Sequence, residues 1–134
     1  MEVKDQGEFM SLISGLTGNA GSASSDQLMK EYDKIIADGE LIEIGFKLVR
    51  DVFIFTNKRL ILVDKQGLTG KKTEYLSISY KSISRFSIET SGHFDLDAEL
   101  KIWISGEQSP SISKTFNKKT NIYDLQKVLA SYVL

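Results

Sequence analysis

The chain of 134 residues is too short for two cores of ordinary size, yet long enough to bury about two thirds of its unfolded surface, so one domain is expected. An apolar share of 41% is ordinary for a globular fold, and the lack of cysteine excludes disulfides and thiolate metal sites. The net charge of −1 is uneven: residues 1–39 hold seven acids and three bases, residues 40–134 eleven acids and fourteen bases, a surplus too small to indicate nucleic acid.

No stretch approaches the ~18 apolar residues that span a bilayer, and no basic segment precedes an apolar run at the N-terminus. Cytoplasmic residence is the expectation. Phe9, Leu12, Ile13 and Leu16 recur at helical spacing and predict a short amphipathic helix, which must lie against something to persist. Residues 18–25 (GNAGSASS) read as a small-residue linker. A second helix is expected after Ser24 as N-cap, with Leu28, Tyr32, Ile35 and Ile36 as its apolar stripe and Gly39 as its left-handed stop.

From Glu40 the period falls from 3.6 to 2. Ile42, Ile44, Phe46 and Leu48 alternate with Glu43, Gly45 and Lys47, which predicts a strand with one wet face. A tight connection at Arg50-Asp51 leads to Val52–Thr56, and Asn57-Lys58 turns the chain into Arg59–Asp64, a hairpin whose strands are apolar on both faces. Both faces must then be covered, and the N-terminal helices are the available cover. Leu76, Ile78 and Tyr80 alternate with serines. Ile83, Phe86 and Ile88 change parity, which places a β-bulge near Ser84-Arg85. Ala98, Leu100, Ile102 and Ile104 form the cleanest amphipathic strand, and Ile112–Phe116 the last. Asn121 then caps a helix with Ile122, Leu125, Val128, Leu129 and Tyr132 as its buried stripe. The expected architecture is mainly β: seven antiparallel strands in a barrel or sandwich (residues 40–134) capped by a C-terminal helix, with a helical N-terminal extension (residues 1–39).

Laid out this way, the chain resembles the bacterial pleckstrin-homology (PH-like) domain family. The carrying segments are residues 50–72 (RDVFIFTNKRLILVDKQGLTGKK), residues 92–100 (GHFDLDAEL) and the arm at residues 15–20 (GLTGNA). The resemblance implies a seven-stranded PH-like barrel with a C-terminal helix, and self-association into ring-like homo-oligomers. It implies no defined biochemical activity, and no cofactor is expected. Phosphoinositide binding in PH domains uses basic residues on a long loop between the first two strands. Here that connection is short and carries Asp51, so phosphoinositide is not an expected ligand.

No other constellation points to catalysis. His93 is the sole histidine, and no strained Gly-x-Ser-x-Gly turn accompanies it. Asp95, Asp97 and Glu99 alternate acids but lack the rest of a calcium loop, and Gly67 to Thr73 lacks the spacing of a phosphate loop. Lys58, Arg59, Lys65, Lys71 and Lys72 are candidates for a basic patch facing anionic lipid, against ordinary loop solubility or an internal Arg59–Asp64 pair. Trp103 projects opposite the apolar face of its strand, so it is either an anchor for a contact or covered by a helix of its own chain. The leading expectation is a non-catalytic scaffold that self-associates through Trp103 and the Phe9, Leu12, Ile13 and Leu16 face, with another protein as further partner. The alternative is a membrane-associated adaptor working through its lysine-rich loops.

Overall fold

The computed structural model describes residues 22–23, 25–48, 51–66, 72–90, 98–116 and 122–134. Two antiparallel sheets face each other. The larger runs in the order β1 (Ser22–Ala23), β2 (Ile42–Lys47), β3 (Val52–Thr56), β4 (Arg59–Gln66), β5 (Lys72–Ser79). The smaller runs β6 (Ile83–Glu89), β7 (Ala98–Ile104), β8 (Ile112–Phe116). Between β1 and β2 lie helix α1 (Ser25–Glu31) and a 3₁₀ turn at Asp33–Ile35, and helix α2 (Ile122–Val133) follows β8. The seven expected strands are present, joined by the two-residue β1, which pairs Ser22 with Phe46 inside the stretch expected as linker.

Alternation divides the large sheet into two buried faces. Phe53, Phe55, Leu60, Leu62 and Ile78 point between the sheets, where they meet Leu100, Ile102, Phe116 and the stripe of α2. The opposite parity, Val52, Ile54, Ile61 and Val63, packs beneath Leu28 and Tyr32 of the N-terminal segment. β3 is therefore buried at all five positions, as its two-faced apolar sequence requires. Each wholly buried Leu or Ile contributes roughly 1.5–3 kcal/mol.

Two bulges correct or fix the register. One lies between Ile42 and Ile44 in β2 and was not legible in the alternation. It swings Ile42, opposite Thr56, to the outer face, while Ile44 and Phe46 stay inside, so the four residues expected on one face are split between two. The wet face expected for β2 is also partly dry. Gly45 is buried under Leu28, whose Cδ1 lies 2.4 Å from where a Cβ on Gly45 would stand. Any larger residue would displace Leu28 from its seat on the sheet. The second bulge, between Ile83 and Arg85, falls where the parity change places it.

α1 is shorter than its stripe implied. It yields to 3₁₀ geometry after Glu31, yet Leu28 and Tyr32 are still buried and Ile35 and Ile36 half-buried. Gly39 ends the segment at φ +79°, the left-handed region that glycine adopts without strain. α2 closes the other side through Ile122, Leu125, Val128 and Leu129. Near its end Tyr132 stacks on Tyr80 (4.7 Å between ring centres) and on Phe55 (5.4 Å), and its hydroxyl donates to Glu43 at 2.5 Å. Burial, then the Glu43 carboxylate, drives the Tyr132 hydroxyl far above its ordinary range.

Candidate functional site

The Thr56-Asn57-Lys58-Arg59 turn is a structural hub. Glu40 is buried to 2% exposure, a costly place for a carboxylate unless it is paired. Arg59 pairs it in a fork, Nε to Oε2 at 2.8 Å and Nη2 to Oε1 at 2.9 Å. Thr56 Oγ1 donates to Oε2 at 2.7 Å and the Ala37 amide to Oε1 at 3.0 Å. The same guanidinium donates to the Ile35 carbonyl and to Ser77 Oγ, each at 2.6 Å. One arginine thus joins the N-terminal segment, the β3–β4 hairpin and β5. Its hydrogen bond holds the Glu40 carboxyl down at about 2 against the opposing cost of burial. Asn57 completes the clasp: its Oδ1 accepts from the Leu41 amide at 2.8 Å, and its own backbone amide donates to the Leu41 carbonyl at 3.0 Å.

At the far end of β4 the sheets part. A cleft of about 190 Å³ opens between β5 and β8, floored by Leu62, Leu76 and Ile112 and rimmed by Asp51, Asp64, Glu74 and Lys114. Lys114 occupies an inward position between Ile112 and Phe116, and its Nζ reaches Asp51 at 3.2 Å and Asp64 at 3.5 Å. Burial would lower its pKa, but the hydrogen bond and charge of Asp51, with Asp64 behind, raise it. β5 is the lip of this cleft and, among the described residues, the edge of its sheet, paired with β4 alone. Six of its eight residues are exposed, among them Leu76 (40%), whose parity is inward, and Tyr75 (48%) on the outer side. An edge strand with bare amides and large apolar side chains is a template for strand addition. Tyr75 meets the edge of Tyr32, whose buried hydroxyl has no hydrogen-bond partner among the described residues. Burial, then the Glu31 charge, pushes that hydroxyl up to about 12.

Trp103 stands on the outer face of β7, as its alternation requires, but no helix among the described residues covers it. Its Nε1 donates to the Gln108 carbonyl at 3.2 Å, and the Arg85 guanidinium lies 4.6 Å above the ring. The indole is half-buried by its own sheet and the following turn.

The described basic candidates, Lys58, Arg59, Lys65 and Lys72, do not lie together. Lys58 precedes and Arg59 begins β4, whereas Lys65 lies near its end and Lys72 pairs with Gln66, roughly 20 Å away at ~3.3 Å per residue. Arg59 is committed to Glu40, and Lys71 lies outside the described residues. The expected Arg59–Asp64 alternative is also corrected: five positions apart they take opposite faces, and Asp64 pairs with Lys114. Phe9, Leu12, Ile13, Leu16, His93, Asp95 and Asp97 lie outside the described residues, while Glu99 is paired with Lys101 at 3.3 Å. Where β2 leads into β3, the Leu48 amide donates to the Asp51 carbonyl at 2.8 Å.

The family model described as "Bacterial PH domain" matches residues 11–133. The chain belongs to the bacterial PH domain family. Among solved bacterial PH structures, the pleckstrin homology domain from Shewanella amazonensis SB2B is 48% identical, with a TM-score of 0.78 over 91% of this chain and 98% of that one. A pleckstrin-homology protein from Shewanella loihica PV-4 is 47% identical, with a TM-score of 0.74 over 88% of this chain and 100% of the other. The uncharacterized protein YjqA of Bacillus subtilis (strain 168) is 62% identical over 91% of this chain and 98% of its own length. The PH fold therefore accounts for the two sheets and the closing helix. No helix among the described residues is long and apolar enough to cross a membrane.

Proposed function

We propose that this protein is a non-catalytic PH-like interaction and scaffold domain that self-associates. The observation that carries the reading is β5, an eight-residue strand at the edge of its sheet among the described residues, with Tyr75 and Leu76 exposed over an apolar-floored cleft. Exposed apolar side chains beside unpaired strand amides are the ingredients of a contact between chains. Among the described residues no group of three or more histidine, aspartate or glutamate side chains is placed to hold a metal. Trp103 remains a lesser contact, because Arg85 already covers its ring. The separation of Lys58 from Lys65 and Lys72 lends little to an anionic-membrane adaptor.

The test is the solution mass by multi-angle light scattering across a concentration series, for the full chain and for Leu76→Lys. Self-association through β5 predicts a concentration-dependent multiple of the chain mass, and at least a tenfold weakening with the lysine, since desolvated charge at an interface is costly. A strict monomer at the highest concentration, or an unchanged mass for Leu76→Lys, overturns it.

A further inference from the structure

Self-association through the β5 cleft requires a matching surface on the second copy. A suitable one stands at the opposite end of the same sheet. Leu41 is 59% exposed, the largest such value for an aliphatic side chain among the described residues outside the last one, and Lys58 beside it is exposed and makes no ion pair among those residues. This corner is not a loose loop. Leu41 and Asn57 exchange backbone and side-chain hydrogen bonds, Asn57 Nδ2 donates to the Gly39 carbonyl at 3.3 Å, and the Glu40–Arg59 fork lies directly behind. An apolar side chain held rigid in water beside an exposed cation loses little conformational freedom when it docks.

The cleft has the matching character. Its rim sets three carboxylates, Asp51, Asp64 and Glu74, against one ammonium, Lys114, and its floor is Leu62, Leu76 and Ile112. Lys114 is already shared by Asp51 and Asp64, and Glu74 has no ion-pair partner among the described residues. Lys72, two positions along the same strand face, is the nearest opposing charge on β5. A cleft of about 190 Å³ admits roughly one long side chain, since an apolar cavity of ~150 Å³ accepts benzene.

We infer that the Leu41–Lys58 corner of one copy docks in the Asp51–Asp64–Glu74 cleft of the next, with Leu41 toward Leu76 and Lys58 against Glu74. The corner does not reach the cleft of its own chain, because the length of β4 separates the two surfaces. Two different patches in contact make the interface heterologous, so it propagates head to tail and closes into a ring where the rotation permits. The inference rests on the self-association proposed above and names its two faces.

Charge exchange tests it. Lys58→Glu and Glu74→Lys are made at exposed positions, with circular dichroism to verify each fold. Each variant alone should associate at least tenfold more weakly than the parent by sedimentation velocity. An equimolar mixture should recover association. One junction then joins the unaltered corner to the unaltered cleft, and the other joins the two substituted faces, whose opposite charges are simply exchanged. A parent that self-associates with either variant unchanged, or with no recovery on mixing, overturns these faces and leaves self-association standing. A monomeric parent overturns both.

Discussion

The two sheets share one fold and one alternation, yet only one is buried on both sides. In the five-stranded sheet the outer positions Val52, Ile54, Ile61 and Val63 are covered by Leu28 and Tyr32. In the three-stranded sheet the outer positions are Arg85, Ser87, Glu89, Glu99, Lys101 and Trp103, and no helix among the described residues lies over them. The sequence of each sheet states its solvent contact: apolar on both parities where a cover exists, apolar on one where water is the cover. The cover itself is short, seven helical residues and one 3₁₀ turn, so it depends on the Glu40–Arg59 clasp and on the space left at Gly45.

That dependence ranks the expected effects. Arg59→Ala should be the most damaging, at about 3–5 kcal/mol in denaturant titration, because it leaves the Glu40 carboxylate buried without its partner. A loss below about 1 kcal/mol would mean the clasp holds nothing in place. Ile61→Ala, on the outer face of β4, should cost about 2–5 kcal/mol, whereas Lys101→Ala on the outer face of β7 should stay within about 0.5 kcal/mol. Equal costs at the two sites would erase the distinction between the sheets.

Acid should act through the same clasp. The Glu40 pKa of about 2 lies below its unfolded value of 4.5, so the folded protein binds fewer protons and is favoured at higher pH. Its contribution, roughly 3 kcal/mol, is fully present above pH 4.5 and is lost as pH falls toward 2. Stability measured from about pH 6 down to about pH 2 should therefore fall more steeply in the parent than in Glu40→Gln. Parallel curves would count against the ion pair. A smaller effect, about 0.5–1 kcal/mol, is expected at Arg85→Ala, with a shift in Trp103 fluorescence as the guanidinium leaves the ring.

Much of this was legible from residue order because each local signal agreed with the fold. The change of period at Glu40, the doubly apolar hairpin and the parity change before Phe86 all appear where they were expected. What escaped has identifiable causes. The bulge at Glu43 leaves the spacing of Ile42, Ile44 and Phe46 intact and becomes visible only through its partner strand. Arg59 read as a surface base because its partner, Glu40, is nineteen positions away. Lys114 carried a signal that went unused: a lysine at the inward parity between Ile112 and Phe116 calls for a buried or cleft-facing anion. Lys58 and Lys65 lie toward opposite ends of β4, a separation that follows from the length of the strand between them.

Self-association as proposed requires that another chain cover β5 and the cleft beside it. Hydrogen exchange of the β5 amides, followed from dilute to concentrated protein, addresses this directly. Protection between Thr73 and Ser77 should rise with concentration while the β7 amides, already paired on both sides, stay constant. Exchange at β5 that is identical at every concentration would contradict it.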